Sequence, residues 1–345
     1  MPRFLRSPLF WIGLAISVGA GVLAFRGLRW GEVRDAMVEA NYGLLALAVV
    51  IMLVSLYFRA ERWRVLFLPQ RGLRLTNLLG AMSAGYALNN LLPLRVGEFA
   101  RAYLIGEAEE DVRAPHALST IVVERTLDTL TVVAMLLVTL PFIDAPGWAR
   151  GPALFFGLGV LVLAVALALV STARERAVAI VVRLERLLPE RWRGRAESWT
   201  EAALEGFAVL RTPSVLARAA GWSAVSWLTS AVMIYVTLRA FGLDLPFSAA
   251  LFVTAAVSLG MVVPSSPGYI GVFHAIAIES LVNVFDVERD PAASFALVQH
   301  AIQYLVPIVI GVAYLWHERA VWRRVPLSGL GDATRAEAAP AEPAD

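Results

Sequence analysis

The 345-residue chain is 58% apolar and 17% charged, with a mean hydropathy of +0.66, against roughly 45–50% apolar residues in soluble chains; this excludes an ordinary soluble enzyme. It contains no cysteine, so disulfides, thiolate metal sites, iron–sulfur clusters and cysteine nucleophiles are excluded too. All 30 basic residues are Arg and the net charge is +2, a modest excess that predicts no nucleic-acid partner and makes the placement of those Arg more informative than their sum.

The apolar residues fall in blocks. After Arg3 and Arg6, the run Leu9 to Phe25 covers 17 residues and passes into Arg26, Gly27 and Leu28 without a small-residue cleavage site; it reads as a retained span, not a signal peptide. A second run, Tyr42 to Phe58, is closed by Arg59, Arg62 and Arg64. Leu78 to Ile105 and Ala117 to Phe142 are apolar on average but carry charges inside, and Pro152 to Val170 is clean. Residues 173–211 are charged yet periodic, with Ala177, Ile180, Val181, Leu184 and Leu188 at helical spacing. This predicts an amphipathic interfacial segment, continued after Pro189 and Gly194 by Trp199, Ala203, Phe207 and Leu210. Ala219 to Phe241, Phe247 to Phe285 and Ala293 to Trp316 follow, and the Ala, Pro and Glu-rich residues 328–345 are predicted to be a disordered tail.

Arg-rich connections are retained in the cytoplasm. The stretch 172–218 carries nine Arg and 59–74 five, and both chain ends are basic, so all four are predicted inside and both termini are cytoplasmic. Even numbers of crossings must then separate them, and neither 78–105 nor 247–285 can cross once. The first is broken by Asn89, Asn90, Pro93 and Gly97, the second by Pro264, Ser265, Ser266, Pro267, Gly268 and Gly271. Each is predicted to be a re-entrant helical hairpin. The expected fold is an all-α polytopic membrane protein of one domain, residues 1–316, with six full spans and two oppositely oriented hairpins. Its halves, about 9–142 and 151–316, repeat the order span, span, hairpin, span with directions reversed. Such inverted repeats with interrupted helices mark transporters that bind near the midplane.

Charge inside these blocks needs a reason, because at membrane depth it costs several kcal/mol unless paired or facing water. Arg95, Glu98 and Arg101 flank the first break, and a helix starting at Gly97 is expected to aim backbone N–H groups at it, a geometry suited to phosphate. Thr120, Glu124 and Asp128 recur every four residues on one helix face, with Arg125 alongside. They read either as ligand-binding groups or as a structural ion pair with Arg95, Arg101 or Arg125. The second half is neutral by comparison, with Ser265, Ser266, Gly268, Gly271 and His274 at its break and Gln299, His300 and Gln303 in the following span. His274 reads as a proton carrier or as a hydrogen-bonded packing residue. The four His are scattered, no metal motif is present, and no Walker, G-x-S-x-G or H-E-x-x-H sequence occurs. No metal or cofactor is expected.

The runs NNLLPLRVGEFARAYL, VVERTLDTL and PSSPGYIGVF resemble the membrane-domain family of lysylphosphatidylglycerol synthases and their stand-alone, flippase-like relatives, over about residues 10–318. The motif positions are Asn90, Pro93, Arg95, Gly97, Glu98, Arg101, Glu124, Arg125, Asp128, Pro267, Gly268 and Gly271. The resemblance implies movement of anionic or modified lipids, or lipid-linked carriers, between leaflets of the plasma membrane. Many members carry Glu where this chain has His274, which removes an acidic role there. The aminoacyl-transferase domain of full synthases is not in the chain, so it is not expected to make lysylphosphatidylglycerol alone. The expected activity is transport, not catalysis, with a membrane lipid as substrate. The alternative is a non-transporting subunit that docks an enzyme of envelope or lipid synthesis through 173–211. The oligomeric state is left open.

Overall fold

A computed structural model of the chain describes residues 8–68, 72–92, 96–143, 158–159, 161–162, 207–262 and 265–317. Ten α-helices order them: α1 Pro8–Phe25, α2 Trp30–Glu39, α3 Tyr42–Leu66, α4 Leu75–Leu91, α5 Gly97–Ala108, α6 Ala114–Thr139, α7 Pro213–Ala240, α8 Phe247–Gly260, α9 Val272–Phe285 and α10 Arg289–His317. Short 3₁₀ turns precede α7 and α9 and follow α6. No strand occurs among the described residues. Most of the apolar block 152–170 and of segment 173–211, and all of 328–345, lie outside them.

Among the described residues, four helices are long and apolar enough to cross a membrane: Tyr42–Leu66, Pro213–Ala240, Pro267–Phe285 and Arg289–His317. The pair Trp11–Phe25 and Trp30–Glu39 reaches that standard together, bent by 80°. The chain is therefore a multi-pass helical membrane protein. Helix α6 is long enough, but Glu124, Arg125 and Asp128 interrupt its apolar length. Its charged face is turned inward, with Glu124 and Asp128 buried, as the cost of charge in hydrocarbon requires.

Both expected breaks are real: α4 turns back as α5, and α8 as α9, each pair packing together. At about 1.5 Å per residue α4, α5 and α8 measure roughly 18–26 Å, short of the roughly 30 Å hydrocarbon core, whereas α9 with the turn before it reaches spanning length. The packing pattern is also mapped onto itself when α3, α4, α5 and α6 are exchanged with α7, α8, α9 and α10. Helix α4 packs on α10 as α8 packs on α6, α5 on α6 as α9 on α10, and α3 and α7 form the most extensive pair.

Two boundaries differ from the sequence reading. Arg59 and Arg62, counted with a basic cytoplasmic stretch, lie within α3, which runs on to Leu66; Arg62 is fully buried. The helix continues because the residues after Phe58 include Ala60, Trp63, Val65 and Leu66, all buried in the core. Residues Phe207 and Leu210, read as part of a surface piece, pack against that core beside buried Val209.

Helix α1 carries Gly13, Ser17 and Gly21 at four-residue spacing, a stripe that permits close backbone approach. Ser17 Oγ accepts the Ser266 N–H at 2.7 Å. A Cβ on Gly271 would lie 2.2 Å from the Ser17 carbonyl. At the start of α2, Arg29 donates to Asp290 at the start of α10 through its backbone N–H and Nε, at 3.1 and 2.8 Å.

Candidate functional site

The two hairpin tips meet. Asn90, at the end of α4, donates through Nδ2 to the Tyr304 carbonyl at 3.4 Å, and its own carbonyl accepts from Tyr304 Oη at 3.2 Å. Tyr304 also closes on the second tip, where a Cβ on Gly268 would lie 2.4 Å from its ring and 3.2 Å from the Asn90 carbonyl. The second tip needs left-handed backbone, with φ 71 at Gly268, 58 at Tyr269 and 91 at Gly271; glycine adopts it freely at two of the three positions. The first tip depends on close approach instead. A Cβ on Gly97 would lie 1.9 Å from the Gly85 carbonyl, and the Gly97 N–H donates to Asn89 Oδ1 at 2.8 Å. The expected anion-binding N–H at Gly97 is thus occupied from within the hairpin.

Behind the first tip, three arginines and two carboxylates form one buried network. Arg62 is bidentate on Asp128, with Nη2 at 3.3 Å from Oδ2 and Nη1 on Oδ1, and its Nη2 lies 3.2 Å from Glu124 Oε1. Arg101 is bidentate on Glu124 at 3.0 and 2.6 Å. Arg125 bridges both carboxylates, contacting Glu124 and lying 3.0 Å from Asp128 Oδ2. Neutral groups complete the shell: Ser223 Oγ accepts from Arg62 Nη1 at 3.1 Å, and Trp227 Nε1 donates to Asp128 Oδ1 at 2.7 Å. Arg101 lies 3.6 Å over the Trp63 ring, and Trp63 Nε1 donates to Thr120 Oγ1 at 3.0 Å. The side chains of Arg62 and Glu124 are 0% exposed, whereas Arg125 keeps 38%. The carboxylates therefore engage the terminal nitrogens of Arg62 and Arg101, whose Nε atoms stay unpartnered among the described residues, while the Arg125 guanidinium stays accessible.

Arg125 opens onto a cavity of about 310 Å³, at the low end of the roughly 300–1,000 Å³ usual for ligand sites. Its walls come from both halves: Arg59, Glu98, Arg125 and Asp128 from the first, Trp227, Gly268, His300 and Gln303 from the second. Arg59 is held in the wall by its bond to Ser230 Oγ at 3.2 Å and by the Trp227 ring, 4.8 Å away. Counting the network behind the wall, Arg59, Arg62, Arg101 and Arg125 face Glu98, Glu124 and Asp128. One positive charge is left in excess, in a partly apolar, partly open space where charge is screened less than in bulk water.

The structure brings Asn90, Glu98, Arg125, Asp128, Gly268, His300 and Gln303 to this cavity, with Arg101 and Glu124 directly behind. Arg95 lies outside the described residues. Ser265, Ser266 and Gly271 serve the contact with α1. His274 is buried beside them, its Nδ1 accepting the Gly271 N–H at 3.3 Å. Gln299 is fully buried, with neither amide atom partnered among the described residues. Of the partners proposed for Asp128, Arg125 is present, and Arg62 is the strongest contact. The sequence reading missed Arg59, Arg62, Ser223, Trp227 and Ser230. Ser223, Trp227 and Ser230 follow helical i, i+4, i+7 spacing within an apolar run, a legible signal; Arg62 was hidden by ending its helix too early. No group of three metal-ligating side chains gathers among the described residues.

Comparison with known proteins gives one family and several relatives. Residues 10–311 match the family described as the lysylphosphatidylglycerol synthase TM region. A protein named Glycosyltransferase AglD from Haloferax volcanii is 26% identical over 342 aligned residues, covering 90% of this chain and 54% of that protein. The chain thus spans about half the length of that relative. Two proteins from Methanothermobacter thermautotrophicus, each named UPF0104 membrane protein, are 26% and 23% identical, covering 87% and 81% of this chain and 94% and 84% of their own lengths. No solved structure matches.

Proposed function

The chain belongs to the lysylphosphatidylglycerol synthase TM region family, and from that premise we propose that it is a lipid translocase of the plasma membrane, moving an anionic lipid or lipid-linked carrier between leaflets. One observation carries this reading: a cavity walled by both halves, where the hairpin tips meet, with four arginines against three carboxylates. Arg59 and Arg125 would take the phosphate, since guanidinium pairs well with phosphate oxygens. Arg62 and Arg101, paired with carboxylates, would hold the network rigid. Asn90 and Tyr304 would latch the two tips.

The same reading supplies the topology. Six full spans carry two hairpins entering from opposite faces, in an inverted repeat with both termini cytoplasmic; the exchange of packing partners between halves supports this. The absence of cysteine makes it testable, because Asp111→Cys and Asp286→Cys, both at exposed positions, should be labelled from opposite sides of the membrane. Same-side labelling would refute the inverted arrangement. The function itself is tested by leaflet exchange of fluorescent phospholipid and polyprenyl-phosphate probes in liposomes carrying the purified protein. Exchange should occur with wild type and fall with Arg59→Ala and Asp128→Asn. Exchange unchanged in both variants would remove the cavity from the mechanism. Glycosyl transfer is a second reading, favoured only by the name of the Haloferax relative; sugar-transfer product made by purified protein would support it.

A further inference from the structure

The second hairpin tip is held by two histidines that touch each other. His274 stands at the third position of α9 and accepts the Gly271 N–H on Nδ1, so Nδ1 carries a lone pair and the ring proton is on Nε2. His300, on α10, lies 2.8 Å through Nε2 from the Gly268 carbonyl, which fixes its proton on that nitrogen. The two rings pack edge to face at 4.7 Å, between Phe25 at 5.2 Å from His274 and Phe273 at 4.7 Å from His300. The pair therefore grips the tip on either side of its left-handed residues 268, 269 and 271. The Gly268 held by His300 is the same glycine that closes on Tyr304 and Asn90.

We propose that His274 and His300 form a proton-binding pair, and that uptake of one proton by His274 releases the second hairpin tip from the first. The inference rests on the lipid-translocation reading for what that release accomplishes: movement of the lipid becomes coupled to a proton. A proton on Nδ1 removes the acceptor of the Gly271 N–H and sets two donors against each other. It also places positive charge in the first turn of α9, where the helix dipole opposes it, and next to a second imidazole. His274 is 3% exposed, and a charged imidazole without a partner is costly there, so protonation and the admission of water to the tip go together.

The surroundings leave this charge uncompensated. Helices α1 and α8, which pack on α9 or its hairpin, contain no ionisable residue. On α9, Glu279 is bound to Arg289 and Asn283. On α10, Tyr304 is the near neighbour of His300, while Arg289 and Asp290 are engaged at the far end. Helix α2 meets α10 at Ser294, and its Glu32 is paired with Arg29. Tyr86 of α4, Tyr269 of the tip, Arg59 of α3, Glu98 of α5, and Arg125 and Asp128 of α6 line the cavity that His300 enters; Tyr235 and Arg239 are the nearby ionisable groups of α7, with Arg239 paired to Asp244. Of the two carboxylates in that wall, Glu98 and Asp128, Asp128 is already held by two arginines.

The test uses the full chain in lipid nanodiscs, spin-labelled at Leu91→Cys and Ile270→Cys, one exposed position beside each tip. Distances are read at about pH 8 and about pH 3.5, the lower value set well below the ordinary His value of about 6.5 because the buried site opposes the charge. The tip-to-tip distance should lengthen at the lower pH in the parent and stay short in His274→Asn, whose Oδ1 keeps the acceptor but takes no proton. Phospholipid exchange in liposomes should change roughly threefold or more over the same interval and become flat in that variant. No shift in the parent, or the same shift in His274→Asn, overturns the proposal. If that variant does not fold, the four His of the chain give few enough ¹⁵N-histidine signals to follow directly; His274 must titrate in step with the tip distance. A His274-dependent shift without exchange of any probe would retain the proton site and reject translocation. Exchange that is flat with pH would do the reverse.

Discussion

The two hairpins share a scaffold and differ in chemistry. Behind the first, on α6, stand Glu124 and Asp128, locked by Arg62, Arg101 and Arg125; the corresponding helix of the second, α10, offers Gln299, His300 and Gln303. The first tip is closed by a backbone approach of Gly97 to Gly85, the second by left-handed residues gripped by histidine. The difference teaches that one half holds fixed charge and the other groups that can gain or lose it. A rigid cationic wall opposite a neutral, adjustable one suits a cavity that must bind and then let go.

The largest effect that would break this comparison is at Glu124. Replacing it with Ala leaves buried Arg101 without its carboxylate and Arg62 with Asp128 alone, a loss of about 3–5 kcal/mol by analogy with other broken buried pairs. A thermal melt in detergent should show a large drop or no folded protein, and an unchanged melt would contradict the paired network. Next comes the contrast between tips. Gly97→Ala and Gly271→Ala each set a Cβ within 2.2 Å of a carbonyl, and overpacking of that kind costs about 1–3 kcal/mol. Both should lower the melting temperature, Gly271→Ala further because its φ of 91 is itself strained for alanine.

Arg59→Ala sharpens the comparison by separating function from stability. It should cut anionic-lipid exchange about tenfold, equivalent to about 1.4 kcal/mol, while the melt moves little, since Arg59 lies outside the paired cluster. A large drop in stability with exchange intact would make Arg59 structural. Tyr304→Phe removes the hydrogen bond that ties the first tip to α10, about 1 kcal/mol, and should speed labelling of a cysteine placed at Leu91. The smallest effect is expected at the exposed pair Arg239 and Asp244. Such pairs contribute about 0–1 kcal/mol, and Asp244→Asn should leave both melt and exchange alone.

Much of this was legible in the sequence, for physical reasons that can be named. Proline and glycine clusters at Asn89–Gly97 and Pro264–Gly271 cannot continue a helix, and both breaks fall there. The four-residue spacing of Thr120, Glu124 and Asp128 put them on one inward face, which the structure bears out. The partners across the cavity were harder. Arg62 follows an apolar run, and charge at the end of such a run ordinarily means the membrane surface; only its distant contacts with Asp128 and Glu124 reveal that it is interior. Histidine contacts such as His300 with Gly268 depend on how α10 packs against the second hairpin tip, and no local pattern encodes that.

The contact between Ser17 and Ser266 spans 249 residues, and it has a consequence for biosynthesis. At about 5–20 residues per second on the ribosome, roughly 12–50 s separate the synthesis of the glycine stripe on α1 from that of the turn it receives. Through that interval α1 must wait in the bilayer with its Gly13, Ser17 and Gly21 face open to lipid or to whichever insertion factor covers it. Helix α1 thus finds its place only after a turn made 249 residues later, so the fold closes late around an early helix.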